Sequence, residues 1–116
     1  MTESNARFTV RAVAPGVSLI EIGGELTRKS EGALADAYMR VGDGTHAIIL
    51  AFSGLDYMNS SGIGLLVTLV VRAKRKHQRV LACCLPDHYR QIFTLTRLDE
   101  VISIHESEHT AIDAAA

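Results

Sequence analysis

Hydrophobic and polar residues alternate along "RFTVRAV", with Phe8, Val10 and Ala12 on one side and Arg7, Thr9 and Arg11 on the other. A period of two predicts a half-buried strand. After the turn signal "APG" (residues 14–16), "VSLIEIGGEL" resumes the alternation. Val17 and Leu19, followed by Glu21, face one way, and Ile20 and Ile22 face the other. The two runs therefore predict a β-hairpin. Gly23 and Gly24 interrupt the pattern and are expected to let the chain leave the sheet.

The period then changes. In "TRKSEGALADAYMRV", Leu34, Ala37, Tyr38 and Val41 recur at helical intervals, with Thr27 or Ser30 available as cap and "GDGT" as the stop. "HAIILAF" (residues 46–52) is an unbroken apolar run, the pattern of a strand covered on both faces. "SGIGLLVTLVVRAKRK" contains several strand-favouring residues. Its length and the spacing of Ile63, Leu66, Val67, Val70 and Ala73 nevertheless predict a helix, which Ser60 or Ser61 can cap. Arg72, Lys74, Arg75 and Lys76 fall at its end, where cations complement the helix dipole.

"RVLACCL" (residues 79–85) predicts another buried strand. "PDHYRQIFTLTRL" predicts a helix capped by Asp87, with Tyr89, Ile92, Phe93 and Thr96 on one stripe. "VISIH" (residues 101–105) is a last short strand and "SEHTAIDAAA" a small terminal helix. The order β-β-α-β-α-β-α-β-α implies an α/β protein with a mixed, largely parallel sheet and helices packed on it.

Composition narrows the class. At 116 residues there is room for one domain with a real core, expected over 1–116 with its ordered part at about 7–113. Hydrophobic residues make up 47% and charged residues 22%, the balance of a globular protein rather than a disordered tail. Twelve basic and thirteen acidic residues nearly cancel, so no overall field argues for nucleic acid or an acidic membrane. The start lacks a basic-then-apolar secretory pattern, and no apolar run approaches the ~20 residues of a membrane span, so a cytoplasmic location without membrane insertion is expected. The only cysteines, Cys83 and Cys84, are adjacent. On a strand they would point to opposite faces, and one pair is too few for a thiolate metal site. No cofactor is expected.

The candidate chemistry lies in "LDYMNSSGIGLL" (residues 55–66), where two serines separate an apolar strand from a helix. Backbone N–H groups at a helix start lack partners and the helix dipole is positive there, so an anion is favoured. A serine at that address either caps the helix or is placed to carry its own phosphate, which adds roughly −1.5 to −2 charges and three acceptor oxygens. Gly62 and Gly64 remove bulk beside it, easing the approach of a partner.

The stretch "LDYMNSSGIGLLV" resembles the motif of the STAS domain family, in particular the bacterial anti-sigma-factor antagonists (anti-anti-sigma factors), whose usual form is Asp-Ser-Ser/Thr-Gly. "IGGELT" is similar to that family's Gly-Glu-Leu-Asp, and "HYRQIFTLTRLDEVISIHES" to its third helix, exit and final strand. The resemblance implies a non-enzymatic regulator. Unphosphorylated, it would bind a partner that is both anti-sigma factor and serine kinase; phosphorylated, it would be released; a serine phosphatase would reset it. The phosphate acceptor carried over is Ser60, with Ser61 as its neighbour. The partner surface would comprise Asp56, Tyr57, Met58, Asn59, Ser60, Ser61, Gly62 and Ile63 in the loop and helix start, with the exposed side of the helix that follows, joined by Thr27. Asn59 and Thr27 stand where the family often has aspartate, and Arg97 replaces a glycine. Some relatives act instead as subunits of sensory scaffolds or transporters without this switch, and self-association stays open.

Rival constellations are weaker. "HESEH" (His105–His109) satisfies His-Glu-x-x-His, but that zinc pattern requires both histidines one turn apart on one helix, and here His105 is expected to end a strand. "NSSGIG" is not a Gly-x-Ser-x-Gly elbow. Gly62-Ile63-Gly64 lacks the third glycine of a dinucleotide loop. "NSS" as a glycosylation acceptor lacks a secretory context, and "RAKRKHQR" reads as a solvated helix end.

Overall fold

The computed structural model describes residues 5–116. Five strands form one sheet in the order β1 (Arg7–Ala14), β2 (Val17–Leu26), β3 (Ala47–Met58), β4 (Arg79–Cys83) and β5 (Ser103–His105). β1 and β2 pair antiparallel, and every later neighbour is parallel. The helices are α1 (Glu31–Met39), α2 (Ser60–Arg75), α3 (Asp87–Leu95) and α4 (Glu108–Ala115), so the alternating order and the mixed sheet are as expected.

Strand alternation divides the core into two layers. Ile20, Ile22, Ile48, Leu50, Phe52, Val80 and Ala82 point to one face, where Leu34 and Tyr38 of α1, Leu66, Leu69 and Val70 of α2, and Tyr89 and Phe93 of α3 cover them. Val17, Leu19, Ala47, Ile49, Ala51, Leu81 and Cys83 point to the other, covered by Ala111 and Ala115 of α4. The central β3 is buried along its whole first half, residues 47–52, which is why that stretch reads as unbroken apolar sequence.

Five local expectations are corrected. β2 does not end at Gly23-Gly24 but runs to Leu26, with a register shift on either side of those glycines where β3 carries the extra residue. Gly24 takes φ +82°, and a Cβ there would land on the carbonyl oxygen of Asn5, so glycine serves a close backbone approach rather than an exit. β3 likewise continues six residues beyond Phe52, to Met58. Pro86, not Asp87, occupies the α3 cap position, and Asp87 is the first helical residue. The strand in "VISIH" spans only Ser103–His105. In α2 the buried stripe is Gly62, Leu66, Leu69, Val70 and Ala73, whereas Val67, expected among them, is 43% exposed.

Candidate functional site

The carboxyl ends of the parallel strands lie along one edge of the sheet, and β3 delivers the "DYMNSS" stretch there. Asp56, Tyr57 and Met58 are strand residues rather than loop residues, because Glu25 and Leu26 of β2 pair with Tyr57 and Met58. Only Asn59 separates strand from helix. Its backbone is extended, its N–H donates to Leu26 O (3.3 Å), and its side-chain Oδ1 accepts from the Gly62 N–H at 3.0 Å. Asn59 is therefore the helix cap, the role expected of Ser60 or Ser61.

That assignment frees the serines. Ser60 and Ser61 occupy the first two positions of α2, both are exposed, and neither side chain has a hydrogen-bond partner among the described residues. Gly62, the third position, is buried: a Cβ there would strike Leu26 O. α2 thus starts pressed against the end of β2, and this contact fixes how far Ser60 projects from the sheet. The Met58 N–H donates to the phenolic oxygen of buried Tyr89 in α3 (2.9 Å), a second anchor just before the serines.

The residues expected to form the contact surface separate into two groups. Asp56, Tyr57 (48% exposed), Ser60 and Ser61 are open to solvent, and Asn59 and Ile63 are half-buried. Met58 and Gly62 face inward and belong to the core and the β2–α2 contact. Thr27 caps a single 3-10 turn (Arg28–Ser30): its hydroxyl accepts from Lys29 N–H, while its own N–H donates to Ser30 Oγ. That turn packs against α2. Asn59 and Thr27, the two positions without the carboxylate, thus both cap helices with their own side chains. Arg97 adopts φ +62°, the left-handed conformation that explains a glycine preference at that position.

The exposed side of α2, expected to extend this surface, does so, but not with the residues the pattern suggests. Gly64, Val67 and Val71 lie at helical intervals from Ser60 and are exposed. Their spacing of four, three and four residues was visible in the sequence. Valines favour both core and strand, however, and the expected inward stripe includes Val67, which the structure turns outward. At the far end of α2, Arg72 lies over the Tyr38 ring (4.7 Å), and the Tyr38 hydroxyl donates to Gln78 Oε1 at 2.7 Å. Burial raises the Tyr38 phenol above its ordinary value, with Arg72 opposing. A shallow groove of about 110 Å³ runs between α1 and α2, lined by Leu34, Tyr38, Leu65, Leu69 and Arg72.

The His-x-x-x-His pair is split between elements. His105 ends β5 beside Ser103 Oγ (2.8 Å), and His109 in α4 lies 3.4 Å from Asp113. Among the described residues no cluster of three His, Cys, Asp or Glu is arranged to hold a metal, and no helix is long and apolar enough to cross a membrane.

This arrangement, a mixed five-stranded sheet with a serine-bearing helix start after its central strand, defines a class. The STAS domain family matches residues 10–111, and the chain belongs to that family. Among solved structures it is similar to an anti-sigma factor antagonist from Mycobacterium paratuberculosis (22% identity, 95% of this chain and 93% of that chain covered, TM-score 0.77). It is similar also to the Bacillus cell fate determinant SpoIIAA in the phosphorylated form (22%, 95% and 100%, TM-score 0.69). A sulfate transporter family protein from Wolinella succinogenes shares the fold as well (14%, 83% and 82%, TM-score 0.69).

Proposed function

We propose that this protein is an anti-sigma-factor antagonist: a non-enzymatic module that binds an anti-sigma factor with serine-kinase activity and lets go when Ser60 is phosphorylated. One observation carries the reading. The Ser60 hydroxyl is solvent-exposed and unengaged at the first turn of α2 because Asn59 performs the capping. A kinase can reach it without unfolding the helix. A phosphate added there faces the positive end of the helix dipole, which stabilises the charged product.

The same position explains release. Ser60 shares an exposed stripe with Gly64, Val67 and Val71, and Tyr57 is exposed on the strand end that leads to it. A partner covering that stripe must desolvate whatever sits at Ser60. A hydroxyl costs little there; a dianion costs several kcal/mol unless the partner supplies a cation, so binding fails. Removal of the phosphate by a serine phosphatase restores the surface. Solved relatives include SpoIIAA in both unphosphorylated and phosphorylated forms.

The test begins with affinity capture from native extract, with mass spectrometry to identify the partner and map phosphosites. The captured kinase with ATP should then modify Ser60, and Ser60→Ala should abolish the modification. Ser60→Asp should weaken partner binding by about tenfold or more, a loss of ~1.4 kcal/mol. Undiminished binding of Ser60→Asp would refute the switch. A transporter-associated or scaffold subunit, a second reading prompted by the transporter-family neighbour, would instead yield a large stable assembly containing no kinase.

A further inference from the structure

Cys83 and Cys84 do not point to opposite faces. β4 ends at Cys83, and Cys84 turns back with φ +66°, the left-handed region that non-glycine residues seldom adopt. This reversal brings the two sulfurs to 2.8 Å, with the Cys84 thiol donating to Cys83 Sγ. Cys83 is fully buried under α4, whereas Cys84 is half-buried at the strand's end. Both are free thiols, and the sequence contains no others.

We propose that Cys83 and Cys84 are an oxidisable dithiol that closes to a vicinal disulfide when the protein meets a peroxide. The steps balance with two electrons per disulfide. Cys84 sulfur attacks one peroxide oxygen, forming a sulfenic acid and releasing water. Cys83 sulfur then attacks the Cys84 sulfur, and the departing hydroxide leaves as a second water with the Cys83 proton. Closure shortens the sulfur separation from 2.8 Å to about 2.0 Å, but it bridges Cα atoms only about 3.8 Å apart, closer than the roughly 4.4–6.8 Å a disulfide prefers, so the backbone at Cys84 must shift. Burial pushes the Cys83 thiol up, away from thiolate, so the more accessible Cys84 meets the oxidant first.

The bond has a mechanical consequence. Closing the ring constrains the rotation about Cys84 that aims the chain into Leu85, Pro86 and α3. Tyr89, one turn into α3, holds the Met58 N–H immediately upstream of Asn59 and Ser60. Re-aiming α3 loosens that hydrogen bond, so oxidation at the end of β4 reaches the start of α2. The chemistry does not require Ser60 to be a phosphate acceptor, and it stands or falls separately from the proposed switch.

The experiment treats the reduced full chain with hydrogen peroxide and follows intact mass. The expected product has lost two hydrogens, no longer reacts with iodoacetamide, maps to a single peptide containing Cys83 and Cys84, and reverts with dithiothreitol. Cys84→Ser should not show the two-hydrogen loss. Hydrogen exchange at the Met58 amide should speed up by roughly tenfold in the oxidised protein, as expected when a buried hydrogen bond is loosened. Oxygen adducts or disulfide-linked dimers in place of the two-hydrogen loss would overturn the dithiol. A mapped disulfide with unchanged Met58 exchange would overturn its link to α2 through Tyr89.

Discussion

Among the helices that start beside serine at this edge of the sheet, α2 and α4 use it in opposite ways. α4 follows β5, and Ser107 is its cap: the hydroxyl accepts from Thr110 N–H at 3.1 Å, while Thr110 Oγ1 accepts from Ser107 N–H at 3.2 Å. α2 follows β3, and Asn59 takes the cap position, moving the serines one and two places into the helix with free hydroxyls. The third helical residue differs to match. Thr110 completes a reciprocal capping box, whereas Gly62 has no side chain to do so and is pressed against β2 instead. A serine near a helix start is therefore no signal by itself. What distinguishes the two is whether another residue has taken over the capping and left the hydroxyl idle.

The comparison can be broken most severely at the third position. Gly62→Ala places a methyl group on Leu26 O and should cost about 3 kcal/mol, because neither backbone can withdraw. A fall in the urea midpoint would measure it, and a near-neutral result would mean that the β2–α2 contact does not hold α2 in place. Tyr89→Phe comes next. It leaves the buried Met58 N–H without its acceptor and should cost about 1.5 kcal/mol, read by the same titration.

The serines themselves should then diverge. Ser107→Ala removes a working cap and should destabilise by about 1 kcal/mol, while Ser60→Ala should stay within about 0.5 kcal/mol of the parent. Equal losses in thermal or urea unfolding would erase the distinction drawn between the two helices. Smallest of all, Ser60→Asp puts a carboxylate at the positive end of α2 and should raise stability by about 0.5 kcal/mol at low salt, an increment that salt screens. Coupled with the loss of partner binding expected under the proposed function, this would separate a switch from simple damage: the variant folds better and binds worse.

Much of this architecture was legible in the chain because its signals are local and redundant. The alternation of Val17, Leu19, Ile20 and Ile22 survives as two core faces. The unbroken run at residues 47–52 became the central strand, and the helical stripes of Leu34, Ala37 and Tyr38 and of Tyr89 and Phe93 are buried. Each periodicity is set by the covalent geometry of strand or helix and needs no knowledge of neighbours. The serine motif also kept its address between β3 and α2, because strand and helix bracket it within a few residues.

Other features depended on which backbone lies beside which. β2 and β3 extend past the expected ends at Gly23 and Phe52 because each supplies the other's hydrogen-bonding partner, down to the Leu26–Met58 pair. Composition cannot report that mutual support. Asn59 displaced the serines as cap because the strand delivers it, in extended conformation, to Leu26 O. The Tyr89 hydroxyl meets the Met58 amide across 31 positions of chain. Val67 faces outward because α2 is rotated until Gly62 meets β2, and Cys84 turns its sulfur back only because the chain reverses on leaving β4. The chain's own pattern thus determined the elements, their order and the location of the serine motif. Which hydroxyl is idle, which residues stay exposed around it and which two sulfurs meet were decided by packing, since those properties belong to pairs of segments and exist only once they are in contact.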